Sequence, residues 1–309
     1  MPLFNAKECA DKIFNSPLRK IIEDYDRKAN RWKIAGLIII AIGICSFLFL
    51  EIPYPFFIAF AGIFVLAISN KGRRKYFRTV IIPELFNLAM PSLKYRPDLG
   101  ISEGKFLSYG LFNSYDRYSS EDRISGQIGA TKFTAAEVHI EKKHKDKDGK
   151  THYSTIFKGV LFVADFNKVL NSRTVVLPDV AERCFGKLVG NFLQKMNFFD
   201  GSLVKLENPE FEKLFSVYSH DQLEARYILT PQMMEALTAL RKRHKSGMRL
   251  VFEEEHVAIA ISKSSGWLEP PFFSRFARVE VLEKILIELE EVLNIVEALD
   301  LNTRIWTKR

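Results

Sequence analysis

The nine residues YSHDQLEAR, Tyr218 to Arg226, hold the densest mixture of acid, base and cation in the chain outside its runs of charge. A histidine that titrates near neutrality beside a carboxylate and a guanidinium is the material of general acid–base catalysis. His220, Asp221 and Arg226 are therefore a candidate polar cluster, and Asp165, Asp179 and Glu210 are carboxylates that a sheet could bring to the same mouth. Polar turns between strands have the same composition. The cluster alone thus assigns no reaction, and an enzyme acting on a membrane-adjacent substrate stands as the second reading, ahead of a transporter or channel built by oligomerising the hairpin.

The remaining chemical motifs fail on spacing. DGKT, Asp148 to Thr151, ends like a phosphate-binding loop, but His144 stands where the first glycine is needed and the turn joins two strands instead of opening a helix. Taken as a calcium loop, the same turn puts His144 at the first ligand place and Thr155 where a bidentate glutamate belongs. His139, His144 and His152 surround the turn without a cysteine, in a spacing that fits no standard zinc site. Cys184 has Arg183 beside it near a helix start but no local histidine to act as base, so a packed thiol is expected. There is no serine elbow, zincin helix or kinase signature. Catalytic residues are unassigned, no cofactor or metal is expected, and the balance is against an enzyme.

The elements that would position such groups begin with a membrane anchor. Ile34 to Leu50 and Ile52 to Ile68 are each seventeen residues without charge, about 25 Å of helix apiece, the short end of what crosses a hydrocarbon core. One continuous span would bury Glu51 at midbilayer, at roughly 3 kcal/mol, and would place Pro53 and Pro55 in lipid. A two-helix hairpin over residues 34–69 puts Glu51, Pro53, Tyr54 and Pro55 together at the far interface; the alternative is a re-entrant hairpin within one leaflet. Arg31 and Lys33 precede the hairpin and Lys71, Arg73, Arg74 and Lys75 follow it, while the turn has no Lys or Arg. By the positive-inside tendency both termini are cytoplasmic. This membrane-proximal basic collar suits anionic lipids of the inner leaflet. It and one lysine-rich turn hold the excess of the +8 formal charge, so no nucleic-acid partner is expected. Cys9, Cys45 and Cys184 are odd in number and far apart, which implies no disulfide framework.

Residues 1–33 read as amphipathic cytoplasmic helices. Ser16 caps, Pro17 takes the first helical position, and Leu18, Ile21, Ile22 and Tyr25 share a face. Residues 70–100 read as a membrane-proximal helical connector interrupted by Pro83, Pro91 and Pro97. Residues 101–309 read as a cytoplasmic α+β domain, a mainly antiparallel sheet with packed helices. Thr131–Lys143 and Thr151–Phe166 flank the Asp148-Gly149 hairpin turn. RTVVLPD, FEKLFSVYS, EARYIL, GMRLVFEE and HVAIAIS read as strands, and TPQMMEALTALRKRHK as a helix capped by Thr230. The long C-terminal helix carries a stripe from Val279 through Leu282, Ile285, Leu286, Leu289, Val292, Leu293 and Val296 to Leu299, expected to cover a sheet. After it, Arg304 and Trp306 form a candidate docking tail. Gly36 and Gly43, seven apart, suit close packing of the spans or of protomers.

KGVLFVADFNK, RTVVLPD, LVKLENPEFEKLFSVYSHDQLEARYILTP and LNTRIWTK, in that order, resemble an uncharacterised bacterial domain-of-unknown-function family, over about Lys105 to the C-terminus. The resemblance implies a bacterial source, two N-terminal spans in the inner membrane and a cytoplasmic module; it brings no catalytic residues. The first reading is thus a membrane-anchored, non-enzymatic binding, adaptor or sensor protein, with a protein partner or self-association expected.

Overall fold

The computed structural model describes residues 5–49, 55–112, 114–166, 168–179, 201–244, 247–263, 266–269 and 275–301. The expected outer turn at Glu51 to Tyr54, the helix carrying Cys184 and the tail with Arg304 and Trp306 lie outside them.

Contacts divide the chain into two compact units, one of residues 1–91 with 268–290 and one of 92–267 with 291–309. In the first unit, α1 (Ala6–Phe14) starts at Asn5, whose side chain accepts from the Lys7 and Glu8 amides. The chain then enters α2 (Leu18–Phe49), where Ser16 Oγ accepts from the Leu18 amide at 3.3 Å. The amphipathic segment and the first apolar run are thus one unbroken helix, because no helix breaker separates Pro17 from Phe49. Leu18 and Ile22 of its stripe are buried, whereas Ile21 stays 45% exposed.

The second apolar run forms α3 (Pro55–Tyr76), which continues through a π-helical turn (Phe77–Ile81) into α4 (Ile82–Ala89). The sequence suggests an interruption at Pro83. The helix instead changes its hydrogen-bond spacing just before that proline, which brings no amide to the ladder. The two long helices pack through glycines. A Cβ on Gly43 would lie 2.6 Å from the Ala59 nitrogen, and one on Gly62 would lie 2.7 Å from the Gly36 carbonyl. Gly36 and Gly43 therefore serve the packing of one long helix on the other.

Among the described residues, the second unit is built on a nine-stranded sheet of order β1-β2-β3-β4-β9-β8-β5-β7-β6, with every ladder antiparallel. The strands are β1 (Lys94–Arg96), β2 (Arg117–Ile128), β3 (Thr131–Lys145), β4 (Thr151–Asp165), β5 (Thr174–Pro178), β6 (Ser202–Val204), β7 (Phe215–Ser219), β8 (Met248–Glu253) and β9 (His256–Ser262). β3 and β4 meet at the turn where Gly149 adopts φ +75°, the left-handed conformation that a glycine takes without strain. One sheet face packs Val138, Leu161, Ala260, Val251 and Val175 under Phe106 and Phe112, which α5 (Glu103–Ser108) and the residues after it supply.

Two strand expectations need correction. EARYIL is helical: α7 (Gln222–Ile228) begins because Asp221 accepts from the Leu223 and Glu224 amides, a local cap that outweighs the β-prone Tyr-Ile pair. The first half of FEKLFSVYS belongs to a short helix, α6 (Pro209–Glu212), which Asn208 caps, so the strand is confined to Phe215–Ser219. β2, rich in serine and charge, carries no regular apolar alternation. The helix after Thr230 is α8 (Pro231–His244). The C-terminal stripe is buried from Leu282 to Leu299, but its helix breaks at Asn294 into α9 (Val279–Leu293) and α10 (Ile295–Ala298). Most of α9 groups with the N-terminal helices instead of with the sheet.

Candidate functional site

Two members of the YSHDQLEAR cluster, Asp221 and Arg226, are held in local hydrogen bonds. Asp221 spends its carboxylate on the α7 cap. Glu224, one turn on, accepts from the Asn171 and Ser172 amides at 2.9 and 2.7 Å, and Arg226 donates to the Lys205 and Gln222 carbonyls. His220 is exposed. Glu224 and Arg226 thus tie the helix to the loop before β5 and to the residue that follows β6.

His144 stands opposite His152 across the β3–β4 hairpin, where His144 Nε2 lies 2.7 Å from the Ser154 hydroxyl. His139 Nε2 meets the Thr155 hydroxyl at 3.0 Å. Among the described residues, no group of three or more His, Cys, Asp or Glu is placed to hold a metal. Two side chains that the sequence did not flag, one buried and one half-buried, anchor the sheet unit. Glu137, 5% exposed, accepts from the Trp267 amide at 2.6 Å. Burial pushes its carboxyl above the usual glutamate range, against the opposing pull of that amide and of Lys158. Arg249 donates to the Leu111 carbonyl at 2.8 Å and lies 4.4 Å over the Phe112 ring, and burial lowers its pKa to about 10.

The richest juxtaposition of charge and aromatic surface is at the collar end of the helical hairpin. Asp26, on the apolar stripe of α2, is 8% exposed and accepts from the Ala277 amide at 2.8 Å. Arg73 of α3 is 2% exposed and sits 4.5 Å over the fully buried Phe276 ring. Tyr25 stacks on Tyr76 at 3.8 Å between centroids, and Phe77 meets Phe276 at 4.9 Å. Arg74 forms an ion pair with Glu269. The segment before α9 is thus wedged against the bases of both long helices.

The structure separates the collar residues accordingly. Arg73 is internal, Lys33 is half-buried and Arg74 is engaged, while Arg31, Lys71 and Lys75 are exposed. One signal for this was readable: Asp26 falls four residues after Ile22 and three before Ala29, an acid on the buried face. Nothing in FSRFAR marks Phe276 as its neighbour.

Beside this wedge, the α2 and α3 surfaces leave a groove of about 480 Å³. Tyr25, Ala29 and Trp32 line one side, Val65, Ile68 and Gly72 the other, with Lys28 and Ser69 also facing it. Trp32 is 63% exposed, and a Cβ placed on Gly72 would meet nothing within 4 Å. The site can take an amphiphile: its walls are mainly apolar, and beside the amphipathic rings of Tyr25 and Trp32 its polar lining is the Lys28 cation and the Ser69 hydroxyl.

Residues 155–301 match the model of a family described as "Protein of unknown function (DUF3137)". The match begins inside β4 and ends at Leu301, narrower than the resemblance to a family of this kind suggested; three of the four shared phrases fall wholly within it, and LNTRIWTK does not. A comparison with curated proteins gives no match. Among solved structures, the crystal structure of the mycobacterial trehalose monomycolate transport factor A, TtfA, aligns with 72% of this chain and 94% of its own, at 11% identity. Its TM-score of 0.33 is too low to carry an argument.

Proposed function

We propose that the protein is a membrane-anchored, non-enzymatic binding module of the bacterial inner membrane. The helical hairpin spans the bilayer, and both termini and the sheet unit are cytoplasmic, where the module engages a partner or adapts one to the membrane. The observation that carries this reading is the surface of the two long helices. Their apolar windows are only 17% and 11% buried, whereas a core helix of similar composition would be enclosed. Phe47, Phe56, Phe57, Phe60 and Phe64 are each at least 60% exposed. Apolar area of that extent calls for a cover, and helices of this length and composition find it in lipid.

Topology tests the proposal. The three native cysteines are replaced, single cysteines are introduced at Tyr54 and at the exposed Asp148, and intact cells are labelled with a membrane-impermeant maleimide. Labelling at 54 with protection at 148 supports the proposal. Labelling at 148 with protection at 54 reverses the orientation and moves the binding role outside the cell. Labelling at 54 and 148 alike rules out a cytoplasmic sheet unit, and protection at both rules out a turn that reaches the far surface.

A further inference from the structure

We infer that the groove between α2 and α3 is a binding site for one anionic phospholipid of the leaflet that meets the basic collar. The inference rests on the membrane reading above and adds to it a ligand and a place.

Three observations select this occupant. The groove straddles a chemical boundary: Val65 and Ile68 belong to the uncharged run of α3, whereas Lys28 and Trp32 precede the uncharged run of α2. A molecule filling it must be apolar at one end and polar at the other, which excludes a free phosphate or a nucleotide as the main occupant. The lining carries one cation and no acid. Lys28 is exposed and, among the described residues, makes no ion pair; the exposed Arg31 and Lys71 are the chain neighbours of the lining Trp32 and Gly72, while Asp24 pairs with Arg27 and Asp26 is buried on the Ala277 amide. Charge complementarity therefore favours an anionic headgroup over a zwitterionic one. Size and shape also agree. About 480 Å³ lies in the range of small-molecule sites. It holds part of an acyl chain with its glycerol end but not a helix from a partner. The missing side chain at Gly72 leaves the groove open, and the exposed Trp32 indole stands at the rim, where interfacial tryptophans anchor.

The lipid would lay a chain along Ala29 and Ile68 and present its phosphate to the Lys28 ammonium and the Ser69 hydroxyl. Because Tyr25 lines the groove and also stacks on Tyr76 beside Phe276, occupancy would brace the same ring stack that holds the segment before α9.

The test uses the purified full-length chain reconstituted in vesicles that contain bromine-labelled phosphatidylglycerol or bromine-labelled phosphatidylcholine at equal mole fraction. The readout is the tryptophan quenching that disappears in a Trp32→Phe variant. The expected result is stronger quenching of Trp32 by the anionic lipid. Lys28→Gln should weaken the headgroup preference roughly fivefold, the equivalent of about 1 kcal/mol for one lysine near an anionic surface. Gly72→Leu, which adds a side chain at a lining position where a Cβ meets nothing within 4 Å, should abolish the excess quenching at unchanged helix content. Equal quenching by both lipids overturns the inference, as does a headgroup preference that Lys28→Gln leaves unchanged or that survives Gly72→Leu. Either outcome leaves the membrane anchor standing. No quenching of Trp32 by either lipid refutes the membrane placement itself.

Discussion

His244 gives the sheet unit a pH dependence whose sign and size follow from its surroundings. The residue ends α8 with a side chain 6% exposed, and among the described residues its buried Nε2 has no hydrogen-bond partner. Protonation would force an N–H into that position with nothing to accept it. Burial first, and then Lys263 and Arg243, push its pKa from 6.5 down to about 4. Glu291 pulls the other way but loses, because it lies 4.0 Å from Nδ1 and is 30% exposed. Below pH 6.5 the unfolded chain therefore binds a proton that the folded chain refuses, and acid favours unfolding. At about 1.4 kcal/mol per pH unit of separation the limiting loss is about 3 kcal/mol, of which about 2 kcal/mol has gone by pH 5. The assay is urea unfolding of the full chain in mild detergent at pH 7 and pH 5, followed by the fluorescence of the buried Trp267 and compared with His244→Leu. Carboxylates elsewhere titrate in both proteins and cancel. The wild-type chain should lose about 2 kcal/mol more than the variant over that interval. Identical pH dependence in the two, or a relative gain by the wild type in acid, would refute the reasoning.

Two further outcomes separate packing from chemistry. Gly43→Val forces a side chain onto the Ala59 backbone and should cost about 1–3 kcal/mol, seen as a lower melting temperature in detergent, whereas Gly72→Ala, at an open helical position, should leave it unchanged or slightly higher. Asp221→Ala should destabilise the sheet unit by about 1 kcal/mol, and Asp221→Asn, which keeps the capping oxygen, should restore most of that in urea unfolding. An Asn variant as unstable as the Ala variant would mean that the carboxylate charge, and not the cap, is what the site uses.

The candidate site was only partly legible in the sequence. The cations of the collar were visible as a group, yet their fates diverge: Arg73 is internal while Lys71, two residues earlier, is exposed, because the two project from different faces of one helix. Asp221 and Arg226 belong to residue types that caps and active sites share, and only the hydrogen-bond partners, the Leu223 and Glu224 amides and the Lys205 carbonyl, reveal the capping and bridging roles.

Local and periodic features were determined by the sequence alone. Uncharged runs of seventeen residues become long helices with exposed apolar surfaces, the Asp148-Gly149 pair becomes a hairpin turn, and the stripe from Leu282 to Leu299 is buried as written. Each depends on neighbours within a few positions, where backbone geometry translates spacing directly into a face or a turn. Tertiary structure alone decided that residues 268–290 group with the N-terminal helices, that Asp26 accepts from Ala277 across 251 positions, and that Arg73 covers Phe276. Those partners are distant in sequence and are chosen by the burial of charge and aromatic surface in a shared interior, for which periodicity carries no code.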